Sequence, residues 1–134
     1  MAEKFLKKII AQNQEDLRVI SALSSEAKIK QSEIKFLKKN KIFLISLQRE
    51  NKEKINSKEK INSIIKFEFI EESKSKNIDQ GNKENILELL AIEAYKKENN
   101  YEIILLFSNN GIITLDAEVI EIELDNVEKV DDKN

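Results

Sequence analysis

Apolar residues recur at two different periods along this chain, and the switch between them separates a short helical stretch from a long run of strands. Leu17, Ile20, Leu23 and Ala27 recur at helical spacing, which predicts an amphipathic helix over residues 14–25. Asn13 stands where an N-cap is needed, and Glu15 and Asp16 put negative charge in the first turn, where the helix dipole favours it. The Ile9-Ile10 pair ahead of it reads as a short strand.

Beyond the helix the period falls to two. Ile34 and Phe36 make one face and Ile42 and Leu44 another, with Lys38-Lys39-Asn40-Lys41 as the turn, so a hairpin is predicted over residues 28–48. Residues 49–60 are polar and mixed in charge and read as a mobile loop. Ile65, Phe67 and Phe69 alternate with Lys66 and Glu68 as in a half-buried strand, and Glu71 to Asn82 reads as a second polar loop. Residues 86–96 have helical propensity, yet Leu87, Leu89, Ala91 and Tyr95 alternate. A strand is preferred there, because a short turn at Lys97 to Asn100 then joins it to the next.

Ile103 to Phe107 is a continuous apolar run, expected of a strand covered on both faces, with the N-terminal helix as its cover. Asn109-Asn110-Gly111 reads as a three-residue loop with Gly111 left-handed, facing Phe107 with Ile113, Leu105 with Leu115 and Ile103 with Ala117. Ile113, Leu115, Ala117 and Val119 hold odd parity, but Ile120, Ile122 and Leu124 hold even parity. A bend near Val119-Ile120 follows, of the kind that carries a strand from one sheet to another. The expected fold is α+β over residues 1–130. One N-terminal helix packs on a mostly antiparallel, strongly bent sheet or partly open barrel of about 6–7 strands, with residues 131–134 a frayed tail.

Composition narrows the chemistry. The 134 residues suffice for one core, and 40% hydrophobic content argues against general disorder despite 36% charged residues. Twenty-one Lys against two Arg, with twenty-one Ile and fourteen Asn, is a bias toward AT-rich codons, which discounts arguments from lysine alone. Without Cys or His, disulfides, thiol enzymes, zinc hydrolases and Ser-His triads are excluded by residue inventory. Two glycines allow neither a Walker loop nor a dinucleotide fingerprint, and no cofactor is implied. An enzyme here would have to use Asp, Glu, Lys or Tyr. The basic start, Met1 to Ile10, lacks the apolar stretch of a secretory signal, and no uncharged run approaches the roughly eighteen residues of a membrane span, so the expected setting is cytoplasmic.

Charge is divided along the chain: residues 1–66 carry net +8 and residues 67–134 net −10. Lys28, Lys30, Lys35, Lys38, Lys39 and Lys41 could form a nucleic-acid face, but pairing of the two halves, within one fold or between protomers, is the more economical reading. Asp116, Glu118, Glu121, Glu123 and Asp125 along the last strand could hold Mg²⁺ or Ca²⁺, and more plainly form a solvated face. Arg49 stands out in a lysine chain because its planar fork suits bidentate anion recognition, and it lies at a strand-to-loop junction. With Gln48 and Asp79 it is the candidate anion site; an ion pair to a neighbouring strand is its simpler role.

Several strings carry a resemblance: Glu15-Asp16-Leu17-Arg18-Val19-Ile20-Ser21-Ala22, the Phe43-to-Arg49 strand ending in Gln48-Arg49, Ile78-Asp79, and Gly111-Ile112-Ile113-Thr114-Leu115-Asp116-Ala117-Glu118. In order and spacing the chain resembles an uncharacterised alphaproteobacterial family, domain-of-unknown-function family 2948. That family usually runs Phe-Arg-Trp after the Arg, where this chain has Glu50-Asn51-Lys52. The resemblance implies the element order and no activity. The leading expectation is a non-enzymatic protein-interaction or regulatory module, binding another protein or itself. The alternative is a small anionic ligand at Arg49, and the third reading a carboxylate-metal-dependent enzyme on the last strand. Nucleic acid and membrane are not expected partners.

Overall fold

Inward-facing side chains line up across neighbouring strands in continuous rows, and those rows define the architecture. The computed structural model describes residues 8–51 and 59–127. A first strand, β1 (Lys8–Ala11), leads into the helix α1 (Gln14–Ser24). After it come β2 (Lys28–Lys30), β3 (Ile34–Leu37), β4 (Ile42–Glu50), β5 (Lys60–Phe67) and β6 (Ile70–Lys76). The chain ends in β7 (Ile86–Lys96), β8 (Tyr101–Phe107), β9 (Ile112–Ala117) and β10 (Ile122–Asn126). All pairings are antiparallel, in the order β1-β10-β5-β4-β2-β7-β8-β9-β6, with β3 also on β4. β1 and β6 end this path without pairing to each other, so the sheet is unclosed.

One half carries the inward rows Phe36–Phe43–Phe67–Ile122–Ala11 and Ile34–Ile45–Ile65–Leu124–Ile9. The other carries Ile92–Leu105–Ile113–Ser75 and Ala94–Ile103–Leu115–Ser73. The halves are joined at a corner, where β5 runs on into β6 and β9 into β10 while β5 pairs β10 and β6 pairs β9. Phe69 takes φ 61° there, a left-handed conformation unusual for a bulky residue. Its carbonyl accepts from the Glu118 amide (3.0 Å), and the next amide, of Ile70, donates to the Lys41 carbonyl (2.8 Å). The parity change at Val119-Ile120 is this corner.

Asn13 caps α1 as its chemistry dictates, its Oδ1 accepting from the Asp16 amide at 2.8 Å. The helix packs on β7 and β1, burying Leu17 and Ile20. β2 reaches only the first residues of β7's free edge, and beyond them α1 replaces a strand. Ser21 Oγ accepts the Ile92 amide (2.9 Å), and Gln14 Nε2 donates to the Ala94 carbonyl (2.6 Å), so two edge groups are satisfied by helix side chains.

The structure corrects several expectations. The sheet has ten strands. β6 occupies much of the stretch read as a polar loop, because an edge strand can carry Glu71, Glu72, Lys74 and Lys76 with no apolar alternation to betray it. The expected hairpin over 28–48 divides into β2 and β3–β4, and the buried face of β4 is Phe43, Ile45, Leu47 and Arg49 rather than Ile42 and Leu44. β7 is a strand, with a bulge between Leu89 and Ala91 that turns Ile92 and Ala94 inward and leaves Tyr95 exposed. The cover predicted over Ile103 to Phe107 lies on β7 instead, leaving Ile104 and Leu106 half-buried. In the last hairpin Asn109 and Asn110 take the left-handed region (φ 61° and 64°) while Gly111 is extended, and the pairs are Leu105–Ile113 and Ile103–Leu115. Asn tolerates that region through local hydrogen bonding; Gly111 serves packing instead, since a Cβ there would meet Ile78 Cγ1 at 3.2 Å. The middle of the 49–60 loop and the 131–134 tail lie outside the described residues.

Candidate functional site

Adjacent residues of a strand point to opposite faces, so Gln48 and Arg49 cannot share a site. Arg49 points inward and is 1% exposed. Its Nε donates to Ser63 Oγ (3.0 Å) and its Nη2 to Asn126 Oδ1 (2.9 Å), while the Ser63 hydroxyl donates to the same Asn126 oxygen (3.0 Å). These contacts tie β4, β5 and β10 together at one end of the core. Gln48 lies outside, in a groove of about 430 Å³ shared with Lys28, Lys30, Ile64, Ile86 and Val127. Asp79 is exposed in the loop after β6, where its Oδ1 accepts the Gly81 amide (3.0 Å) and its carbonyl accepts Gln31 Nε2 (2.7 Å). The three residues do not converge on one cavity.

The last-strand acids are divided by the corner. Asp116 shares a cross-strand row with Glu102 and Glu72 and accepts from Asn100 Nδ2. Glu121 accepts from Gln12 Nε2 (2.9 Å), and Glu123 pairs with Lys8 (3.3 Å). Among the described residues, no three carboxylates stand close enough together to hold a metal ion.

Part of the charge division is resolved inside the fold. Lys8–Glu123, Lys28–Glu88, Lys30–Glu84, Lys41–Glu71 and Lys66–Glu68 each join a lysine of the first half to a glutamate of the second, at 2.9 to 3.6 Å. What stays uncompensated is the more informative part. Lys35, Lys38 and Lys39, on β3 and its turn, make no ion pair among the described residues.

Those lysines flank an outer sheet face with an apolar strip. Its central row runs Lys35–Leu44–Lys66–Glu123–Ile10 across β3, β4, β5, β10 and β1, and the next runs Ser46–Ile64–Asp125–Lys8. Ile42, Leu44 and Ile64 are half-buried, and Leu37 and Ile10 are 42% and 46% exposed. The helix packs elsewhere, on β7 and β1, and leaves this face open. Burial raises the Asp125 carboxyl above the ordinary aspartate range, and its Glu123 neighbour raises it further. Glu123 is held low by hydrogen bonds from Asp125 and Lys8. The face therefore has lysines at β3, an apolar strip on β4 and β5 interrupted by Lys66, and a crowded carboxylate pair on β10 beside Lys8 of β1. Sequence reasoning named the lysines and acids but missed the strip; its signal was the run Ile42-Phe43-Leu44-Ile45, apolar on both parities.

A second concavity, about 530 Å³, runs between α1 and β7, with Arg18 and Ala22 opposite Leu90 and Tyr95. Ser21 and Gln14 in it hold the β7 backbone, and the Tyr95 hydroxyl donates to Glu93 (2.6 Å). Among the described residues no helix is long and apolar enough to cross a membrane.

Residues 7–133 match the sequence model of a family described as "Protein of unknown function (DUF2948)". No curated protein matches the chain. Among solved structures, the crystal structure of an uncharacterized protein from Neisseria gonorrhoeae is 24% identical with a TM-score of 0.47, covering 73% of this chain and 90% of that one.

Proposed function

The chain belongs to the DUF2948 family of proteins of unknown function, and from that premise we propose a non-enzymatic interaction module whose partner is a second copy of itself. The observation that carries the reading is the outer face of β3, β4, β5 and β10, with lysines on β3, apolar residues around Lys66 on β4 and β5, and carboxylates on β10. A two-fold axis lying in the contact plane, parallel to the strands, lays β3 of one copy over β10 of the other and sets Leu44 against Lys66 of its partner, because isologous contacts are self-complementary. Lys35 of each copy then meets the Glu123–Asp125 pair of its partner. Leu44 and Ile64 lose their remaining exposure, and the crowded carboxylates gain a cation. The same proposal takes the domain to act in a bacterial cytoplasm.

Charge reversal tests it. K35E and D125K, each alone, should weaken self-association about tenfold or more, since either change acts twice in a two-fold dimer. Mixed together, the two variants should recover a heterodimer in which every reversed charge meets its reversed partner. If the mixture stays as weakly associated as its components, the proposed pairing is wrong.

A further inference from the structure

The unclosed sheet leaves a seam where β3 and the start of β4 on one side face edge strand β6 on the other, and the seam holds a cavity of about 160 Å³. Phe36 and Phe43 form one wall, their rings 6.2 Å apart and tilted. Ile113 and Ile78 are apolar on the far side. Ser73 and Ser75 share the inward face with their partners Leu115 and Ile113, so their hydroxyls stand at the seam. Lys83 lies at the rim and makes no ion pair among the described residues.

Gln31 gives the seam its chemistry. It is 5% exposed, and its Nε2 donates to the Asp79 carbonyl at 2.7 Å, which fixes the orientation of the amide. Its Oε1 is buried with no hydrogen-bond partner among the described residues. A buried amide oxygen without a donor costs roughly as much as a lost hydrogen bond, and such atoms in native proteins call for an explanation. The rest of Gln31 is held firmly: its amide N–H donates to the Asn85 carbonyl (2.8 Å), and the next amide, of Ser32, donates to the Lys83 carbonyl (3.0 Å). Two backbone hydrogen bonds therefore join the segment carrying the acceptor to the loop carrying the cation.

We propose that this seam is a binding site for a small, mostly apolar carboxylic acid that carries one hydrogen-bond donor. The apolar body lies against Phe36 and Phe43, the donor meets Gln31 Oε1, and the carboxylate meets Lys83. Pockets for drug-sized ligands are about 300–1,000 Å³, so this one takes a metabolite of fragment size. The site goes beyond the self-association reading and uses none of its surface residues.

The test is titration of the ¹⁵N-labelled full chain with 4-hydroxybenzoate, which has the ring, the donor and the carboxylate. Benzoate lacks the donor, and p-cresol lacks the carboxylate. The expected result is saturable shifts of the Gln31 side-chain amide and the Ser73 and Ser75 backbone amides, with both comparison compounds binding about tenfold more weakly. In Q31L, 4-hydroxybenzoate should fall to the affinity of benzoate, and in K83Q to that of p-cresol. Should Q31L fail to fold, S73L, which fills the seam from β6, must abolish the same shifts. The proposal is overturned by an absence of saturable shifts up to about 10 mM. It is equally overturned by shifts that survive Q31L or S73L unchanged.

Discussion

Substitutions at Arg49 and Ser63 test whether the buried guanidinium is part of the core. Arg49→Ala removes a large, fully buried side chain together with its hydrogen bonds to Ser63 and Asn126, and belongs with large-to-small core changes of about 2–5 kcal/mol. Arg49→Met keeps an unbranched stem of similar length. It loses the charge-assisted bonds to Ser63 and Asn126, roughly 1.5–3 kcal/mol each, but also relieves the desolvation of a buried ion, which is several kcal/mol. The two effects nearly cancel, so R49M should lie within about 1 kcal/mol of the parent. Ser63→Ala takes away the acceptor that Nε uses while leaving the charge inside, and should cost about 1–3 kcal/mol. In an R49M background the same S63A change should cost less than about 1 kcal/mol, because the charge that needed the hydroxyl is gone. Urea unfolding followed by far-ultraviolet circular dichroism measures all four variants, the chain having no Trp for fluorescence. If R49M proves as destabilising as R49A, the reasoning fails: the guanidinium would then be making interactions worth more than its burial costs.

Gly111→Ala should destabilise by about 1 kcal/mol, since its Cβ would meet Ile78 Cγ1 at 3.2 Å and that side chain must shift, whereas Asn109→Gly, at φ 61°, should be neutral or stabilising in thermal unfolding. Ser21→Ala should cost about 1–3 kcal/mol and speed hydrogen exchange at the Ile92 amide ahead of its β7 neighbours, because that hydroxyl is the amide's acceptor. Lys41 hydrogen-bonds Glu71, holding the Glu71 carboxyl below its ordinary value of 4.5. The stability this pairing contributes is present above that value and is lost as pH falls through the lowered one. Parent and K41M should thus differ in urea midpoint at neutral pH and converge in acid.

Local signals were legible and long-range ones were not. The helix and its cap could be read because Asn13 and Asp16 stand three residues apart and the whole motif is contained in one turn. The corner could be read because parity must change when a strand passes between sheets. Strand β6 could not, since its inward residues at the edge are Ser73 and Ser75 rather than apolar ones. The bulge at Leu89/Ala91 was hidden because Leu87, Leu89 and Ala91 alternate with or without it, and only burial shows that Ile92 and Ala94 turn inward. Arg49 was visible as an oddity, but its partners lie 14 and 77 residues away, and nothing local signals that it faces the core. The outer strip escaped notice for a related reason. A run apolar on both parities shows that both faces of β4 are hydrophobic without saying which one meets the core.

Sedimentation equilibrium of the full chain across a micromolar to millimolar concentration range tests the proposed function most directly. The account predicts a reversible monomer–dimer equilibrium that weakens as salt is raised, because charges at the rim of the face steer and hold the contact. Leu44→Asp, which puts a charge in the middle of the strip without touching the inner core, should leave the chain folded and strictly monomeric. A parent chain that sediments as a monomer throughout, or a dimer indifferent to L44D, would contradict it.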